Sequence, residues 1–516
     1  MANVGTVYLV GAGPGDAGLL TLRGAELLAR ADVVVYDALV NTELLRLAPA
    51  QAERLYAGKR AAAHALPQEE LNARLVKYAR DGKTVIRLKG GDPYVFGRGG
   101  EEAEELASAG VPFEVVPGVS SSVAVPNYAG IPVTHRAHCS SYQVLTGHED
   151  PTKPGTSVDW RQVARDPGTK VVLMGVERIG IIARELVAGG LADTTPVAMI
   201  RWGTTGEQQT LVGTLADIAD RVIAAGFSAP AVIVIGSVVT LRDRLNWFEK
   251  RPMFGQRVVV TRTRQQASQL SGRLTDLGAD VWEIPTIRTA PPVNHGPLVE
   301  AITGIGEYDW LVFTSPNGVT EFFGYFFKAF PDLRSIGNVR IAAIGPATAE
   351  KLKELHLAVD VTPDEYVTAK VAKAIHAYEN LENLRVLLLR AEVANPELPG
   401  ELETLGAIVD DVACYQTTPE TEDLSGAAAR LVAEGADWIT FTSASTVENF
   451  HARFDLPALL TRFPRLRTAS IGPVTTKALQ ALGLKPSLEA ADHTIPGLVK
   501  AIRNAPARAK SASGSN

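Results

Sequence analysis

The run Thr6-Val7-Tyr8-Leu9-Val10, the loop Gly11-Ala12-Gly13-Pro14-Gly15-Asp16-Ala17-Gly18, a helix-like stretch over 19–29 and the run Val33-Val34-Val35-Tyr36 decide the fold of the first half of this chain. Two short apolar runs flank a segment with helical spacing, and a glycine turn joins the first run to it. That order predicts a β–loop–α–β opening and an α/β sheet. Further runs at 84–88, 114–116, 170–174, 196–200 and 231–235 alternate with helical or glycine-rich segments and continue the pattern. The mixture at 245–255 interrupts it, because Trp247, Phe248, Lys250, Arg251 and Pro252 read as a linker, set at 249–254, and a fresh strand starts at 257–261.

A chain of 516 residues is too long for one hydrophobic core and is read in pieces. No apolar run reaches the roughly 18 residues of a membrane helix, and the first residues carry no signal-peptide pattern, so a cytoplasmic protein without membrane contact is expected. Cys139 and Cys414 stand far apart with no Cys/His spacing around them, which argues against a disulfide framework and against a metal site. A net charge of −6 argues against a general nucleic-acid binder; a polyanionic substrate would have to meet locally placed Arg and Lys. Residues 505–516, rich in Ala, Lys, Ser and Gly, predict a disordered tail.

The opening loop fails as a dinucleotide fingerprint. Its third glycine would fall at position 16, which is Asp, and Pro14 removes a backbone donor from the place where a pyrophosphate would be cradled. A glycine turn of this kind suits a ligand without phosphates, or no ligand at all.

The second half contains a repeat at an offset of 128 residues. Val258 meets Val386, Arg262 meets Arg390, Leu277-Gly278-Ala279 meets Leu405-Gly406-Ala407, Asp309-Trp310 meets Asp437-Trp438, and Phe313-Thr314-Ser315 meets Phe441-Thr442-Ser443. With a one-residue deletion, Ile344-Gly345-Pro346 meets Ile471-Gly472-Pro473. Duplication predicts two similar α/β lobes with a cleft between them, offering hydroxyls and helix N-termini from both sides. Each repeated Ser or Gly is equally readable as a cap or turn residue.

The first half resembles the uroporphyrinogen-III C-methyltransferases along nearly its whole length. The resemblance rests on 7–10 with the Gly-Pro-Gly-Asp turn, 20–25, 31–40, Gly58-Lys59-Arg60, the stretch Arg87-Leu88-Lys89-Gly90-Gly91-Asp92-Pro93-Tyr94-Val95-Phe96-Gly97-Arg98-Gly99-Gly100-Glu101-Glu102, 116–121 and 129–136. It implies a two-subdomain tetrapyrrole methylase fold over 1–248, divided near 137, that uses S-adenosylmethionine as methyl donor. It also implies donor contacts at Pro14, Gly90, Gly91, Asp92, Val95, Ser120, Ser121, Met174 and Gly203, with Asp37 as proton acceptor and Lys59 as proton donor. Two alternatives stay open: Val95 and Met174 also read as core residues, and an acid about twenty residues past a glycine loop is where a Rossmann protein binds a ribose. Ser120-Ser121-Ser122 and Ala137 depart from the commoner family pattern without removing a charged catalytic group.

The second half resembles uroporphyrinogen-III synthase through 314–319, 343–349 and 470–475. That resemblance implies a two-lobed α/β fold over 255–504, with lobes 255–288 plus 418–504 and 289–417, joined by a two-stranded connector. Tyr415 would assist departure of a hydroxyl, or else pack a hinge; Ser315, Thr348, Ser443 and Thr475 are substrate-contact candidates, with Arg262 and Arg390 as carboxylate partners. Together the two resemblances imply that hydroxymethylbilane is cyclised to uroporphyrinogen III and methylated at C2 and C7 to precorrin-2, for siroheme or cobalamin. The partners are then small tetrapyrroles, and a homodimer through the methylase half is expected. A methylase of a later corrinoid, or a methylase carrying a non-catalytic synthase module, are the alternatives. The NAD-binding segment of trifunctional siroheme synthases is not seen before the methylase, so oxidation and iron insertion are expected from another protein.

Overall fold

The computed structural model describes residues 4–58, 67–148, 158–262, 264–363, 368–394, 396–423 and 425–506. Lys59 and the expected tail beyond 506 lie outside the described residues. The chain is mixed α/β and builds four five-stranded sheets.

The first sheet contains β1 (Val7–Gly11), β2 (Val33–Tyr36), β3 (Glu53–Tyr56), β4 (Val85–Lys89) and β5 (Phe113–Val116), in the order β3-β2-β4-β1-β5. All its pairs are parallel. Parallel strands covered on both faces read as continuous apolar runs, and Val33, Val34 and Val35 are fully buried. The helix expected over 19–29 is Leu22–Leu28, started by Thr21, whose hydroxyl accepts the Gly24 N–H.

The second sheet contains β6 (Tyr142–Thr146), β7 (Thr169–Leu173), β8 (Pro196–Arg201), β9 (Gln209–Thr214) and β10 (Ala231–Ile235), in the order β6-β7-β10-β8-β9. Only β6 with β7 is parallel; the others run antiparallel. The strands missing from the sequence reading, β3, β6 and β9, are all edge strands. An edge strand is paired on one side only, and no residue of β3, β6 or β9 is fully covered, so Glu53, Gln143 and Gln209 break the apolar run that marks their neighbours.

The stretch read as a linker is packed on both halves rather than extended between them. Phe248 and Trp247 lie against Tyr128, with ring centroids 4.9 and 5.0 Å away, and Met253 is fully buried among Val258, Leu274 and Trp438. Glu249 ties the stretch down by accepting from Gln208 (2.9 Å), Thr210 (2.6 Å), Asn246 (3.2 Å) and Arg242.

The remaining strands are β11 (Arg257–Val260), β12 (Asp280–Glu283), β13 (Ile287–Ala290), β14 (Trp310–Phe313), β15 (Arg340–Ala343), β16 (Arg385–Ala391), β17 (Ile408–Pro419), β18 (Trp438–Phe441), β19 (Arg467–Ser470) and β20 (Leu488–Glu489). One sheet runs β12-β11-β18-β19-β20 and the other β13-β17-β16-β14-β15. The two copies of the repeat are therefore interleaved. In one sheet β11 of the first copy pairs with β18 of the second; in the other, β16 of the second copy pairs with β14 of the first. The same side chain locks both junctions: Asp437 accepts the Arg257 N–H and Asp309 accepts the Arg385 N–H, each at 2.8 Å.

Candidate active site

Three glycine turns meet at the ends of β1, β4 and β5. Gly13 and Gly91 exchange backbone hydrogen bonds of 3.2 and 2.7 Å, and a Cβ on Gly118 would stand 2.2 Å from the Gly91 carbonyl oxygen. No side chain fits at Gly118, while Gly13 and Gly91 hold left-handed φ of 76° and 68°. Asp92 fastens the same junction, its two oxygens accepting the Tyr94 N–H (2.8 Å) and the Gly118 N–H (3.0 Å). Its carboxylate thus holds the loops as well as facing the cavity they enclose.

That cavity has a volume of about 1720 Å3. It is larger than the roughly 300–1,000 Å3 of a common small-molecule pocket because it runs on between the two halves, where Asp280, Trp282, Glu283, Asp423 and Arg430 wall it. Its walls include Asp37 and all nine residues expected to contact the donor, from Pro14 to Gly203. Val95 and Met174, which also read as core residues, are 36% and 49% exposed and so belong to a surface. Met174, Trp202, Thr204 and Phe96 line the cavity with φ of 56°, 47°, 72° and 53°. Left-handed backbone at non-glycine residues concentrates where a structure is held for function. Ser120 caps the helix Ser121–Tyr128.

Asp37 ends β2 and is one pole of a buried charge network. Arg87 Nη2 donates to Asp37 Oδ1 at 2.7 Å and to Glu102 Oε1 at 3.2 Å, and Lys89 Nζ donates to the same Glu102 oxygen at 2.8 Å. Arg87 and Lys89 are each 3% exposed and the Glu102 side chain is fully buried. Burial, and then Arg87, depress the Lys89 ammonium below the usual lysine range. Two positive and two negative groups make the network neutral when all are ionised, as a buried cluster requires. Sequence reasoning gave Arg87, Lys89 and Glu102 no role. The available signal was Arg-Leu-Lys inside an otherwise apolar parallel strand, since charges buried there need partners.

In the second half the candidates separate. Ser315 caps the helix Pro316–Ala329, accepting the Gly318 N–H, and its Oγ lies 3.0 Å from the Tyr415 hydroxyl. Tyr415 is buried, and burial raises its pKa above the ordinary value, so it stays protonated at neutral pH. Ser443 caps the helix Ala444–Phe454 in the partner lobe. Thr348 and Thr475 are 1% and 3% exposed, and the Thr348 hydroxyl donates to the Ile344 carbonyl at 3.0 Å. Arg390 is paired with Asp411. None of these residues lines the large cavity.

Residues 6–219 match the family model of tetrapyrrole (corrin/porphyrin) methylases, and residues 268–500 match that of the uroporphyrinogen-III synthase HemD. A porphyrin biosynthesis protein HemD of Ruminiclostridium josui is 39% identical over 93% of this chain and 94% of its own length. A uroporphyrinogen-III C-methyltransferase of Bacillus subtilis is 41% identical over 73% of this chain and 77% of its own length. A solved uroporphyrin-III C-methyl transferase from Thermus thermophilus, complexed with S-adenyl homocysteine, is 41% identical over 46% of this chain and 93% of its own, with a TM-score of 0.39.

Proposed function

This chain belongs to the family of fused porphyrin-biosynthesis proteins that join a tetrapyrrole methylase to a uroporphyrinogen-III synthase, and on that premise we propose that it makes and then methylates one macrocycle. The second half, 255–504, cyclises hydroxymethylbilane to uroporphyrinogen III. The first half, 1–248, methylates that product at C2 and C7 to give precorrin-2.

The observation that carries the methylase reading is one cavity gathering Asp37, the glycine turns and Met174. S-adenosylmethionine supplies a methyl group on a sulfonium when bound. The lining fits such a cation: Asp16, Asp37, Glu43 and Asp92 stand around the glycine turns, and Pro14 presents no N–H to a phosphate. Pro14, Gly90, Gly91, Asp92, Val95, Ser120, Ser121, Met174 and Gly203 then hold the donor. Orientation of the methyl against an electron-rich ring carbon is the larger catalytic term. Asp37, held in place by Arg87, accepts the ring proton, and Lys59 returns one. Glu102 fixes Arg87 and so fixes the carboxylate.

In the second half, the Tyr415 phenol, still protonated at neutral pH, donates toward the departing hydroxyl of the linear substrate, with Ser315 beside it. Ser443 and the neighbouring helix N-termini orient the substrate from the other lobe. Little other acid–base machinery is needed, because folding the chain into one conformation is most of the task. A cytoplasmic homodimer acting only on small tetrapyrroles is the setting we assign to it.

The test is incubation of the full chain with hydroxymethylbilane, with and without S-adenosylmethionine, followed by mass and isomer analysis of the oxidised products. A type III isomer alone, gaining two methyl groups when the donor is added, is expected. Type I product alone, or an unmethylated type III product with donor present, refutes one half of the assignment or the other.

A further inference from the structure

The turn 202–208 between β8 and β9 has two working faces. On one, Gly203 packs so closely on the helix Ser121–Tyr128 that a Cβ would come within 2.4 Å of Val125, and Thr204 Oγ1 accepts the Asp16 N–H at 3.0 Å. The turn is thereby fastened to the loop that carries Pro14. On the other face it meets the synthase half: a Cβ on Gly206 would stand 2.3 Å from the Asp280 nitrogen, and Glu207 receives both terminal nitrogens of Arg430, at 2.8 and 2.9 Å. Arg430 lies on the helix Ala427–Glu434, with its guanidinium 4.4 Å from the Trp282 ring centre.

Trp202 and Thr204 hold left-handed φ of 47° and 72° in a turn that bonds to itself, Thr205 Oγ1 donating to the Trp202 carbonyl at 2.7 Å and Gln208 Oε1 accepting the Thr204 N–H at 3.0 Å. The paired guanidinium and carboxylate add a second restraint, from outside the turn and with fixed geometry. The pair is not needed to keep the halves together, since Met253 and Phe248 already anchor the connection in both cores. Its place at the tip of the turn lets it fix the position of the whole turn against the loop that carries Pro14.

We propose that Arg430, contributed by the synthase half, is a positioning residue for the methyl-donor pocket, acting through Glu207 and the 202–208 turn. The inference rests on the reading that this end of the cavity holds the donor. Synthase docking then sets donor affinity, and the two activities are coupled through a contact rather than through proximity alone.

Calorimetry with S-adenosylhomocysteine on the full chain, run on wild type, Arg430→Gln, Glu207→Gln and the double variant, tests it. Each single change weakens binding at least about fivefold, and the double change is no worse than either, because both remove one interaction. In turnover, KM for S-adenosylmethionine rises while kcat at saturating donor and the rate of hydroxymethylbilane cyclisation by Arg430→Gln stay at wild-type values. Unchanged affinity in the single variants, or losses that simply add, overturns the inference while leaving the donor site standing. Wild-type protein that fails to bind S-adenosylhomocysteine overturns both.

Discussion

Asp37→Asn keeps the shape of the side chain and removes one charge from the network that closes on Glu102. At the observed 2.7 Å the Asp37–Arg87 attraction is about 6 kcal/mol gross for an effective dielectric near 20. The Asp37 side chain is 31% exposed, water screens it, and the Asn carbonyl still accepts from Arg87, so the net loss of stability is about 1–2 kcal/mol. Arg87 and Lys89 then share Glu102, and the excess positive charge is screened by water at the partly exposed position 37. The variant therefore folds. If Asp37 accepts the proton, the lost interaction belongs to the transition state, and methyl transfer falls by on the order of 10²–10⁴ while S-adenosylhomocysteine affinity stays within about twofold. If Asp37 is a ribose ligand, affinity drops by about tenfold or more and turnover recovers at saturating donor. Calorimetry and initial rates on one preparation separate the outcomes. Near-normal rates at high S-adenosylmethionine would refute the proton-acceptor role.

Tyr415→Phe should slow cyclisation by on the order of 10²-fold and shift the product toward the spontaneous type I isomer, measured by chromatography of the oxidised porphyrins; an unchanged rate removes the phenol from the chemistry. Gly203→Ala forces a methyl group to 2.4 Å from Val125 and should weaken S-adenosylhomocysteine by about fivefold to a hundredfold, as overpacking of about 1–3 kcal/mol implies, and full-strength binding would mean that the turn is not part of the donor site. Asp280 is pushed up to about 7 by burial and by Glu207. A carboxyl raised in the folded state binds more protons there than when unfolded, so its contribution is fully present below about pH 4 and is lost as pH rises through about 7. Asp280→Asn should accordingly flatten the fall in Tm between pH 5 and 8 and raise Tm at pH 8, and a lower Tm at pH 8 would contradict the assignment.

How much was legible depended on what each residue had to satisfy. β1, β2, β4 and β10 are covered on both faces, so burial wrote apolar runs that a reader can find. β3, β6 and β9 form edges, where polar residues are tolerated and the pattern fades. The glycine turns were readable as a departure from phosphate binding, whereas their mutual contacts, Gly13 with Gly91 and Gly91 with Gly118, join positions far apart in sequence. Asp37 and Arg87 are separated by fifty residues, and only the parallel pairing of β2 with β4 brings them together. The left-handed residues Met174, Trp202 and Thr204 carry no compositional mark at all, since nothing but the surrounding structure holds them there.

The repeat in the second half shows why a sequence pattern and a structural lobe need not coincide. Counting finds two copies, whereas the lobes implied by the resemblance, 255–288 plus 418–504 and 289–417, are not those copies. The strands show how: β11 sits beside β18 and β16 beside β14, so each sheet draws its central pair from both copies. Asp309 and Asp437 survive at the same repeat position because each carboxylate takes the N–H at the start of the other copy's strand, Arg385 and Arg257 respectively. Ser315 and Ser443 survive because each, two residues past a strand, caps the following helix. Neither lobe can close its central strand pair without the other copy, so the lobes are coupled by covalent connectivity as well as by the connector strands β13 and β17. The same logic extends to the whole chain. The 202–208 turn receives Arg430 from a helix of the lobe that β11 and β12 begin and β18 to β20 complete, so that contact depends on two segments of the second half far apart in sequence.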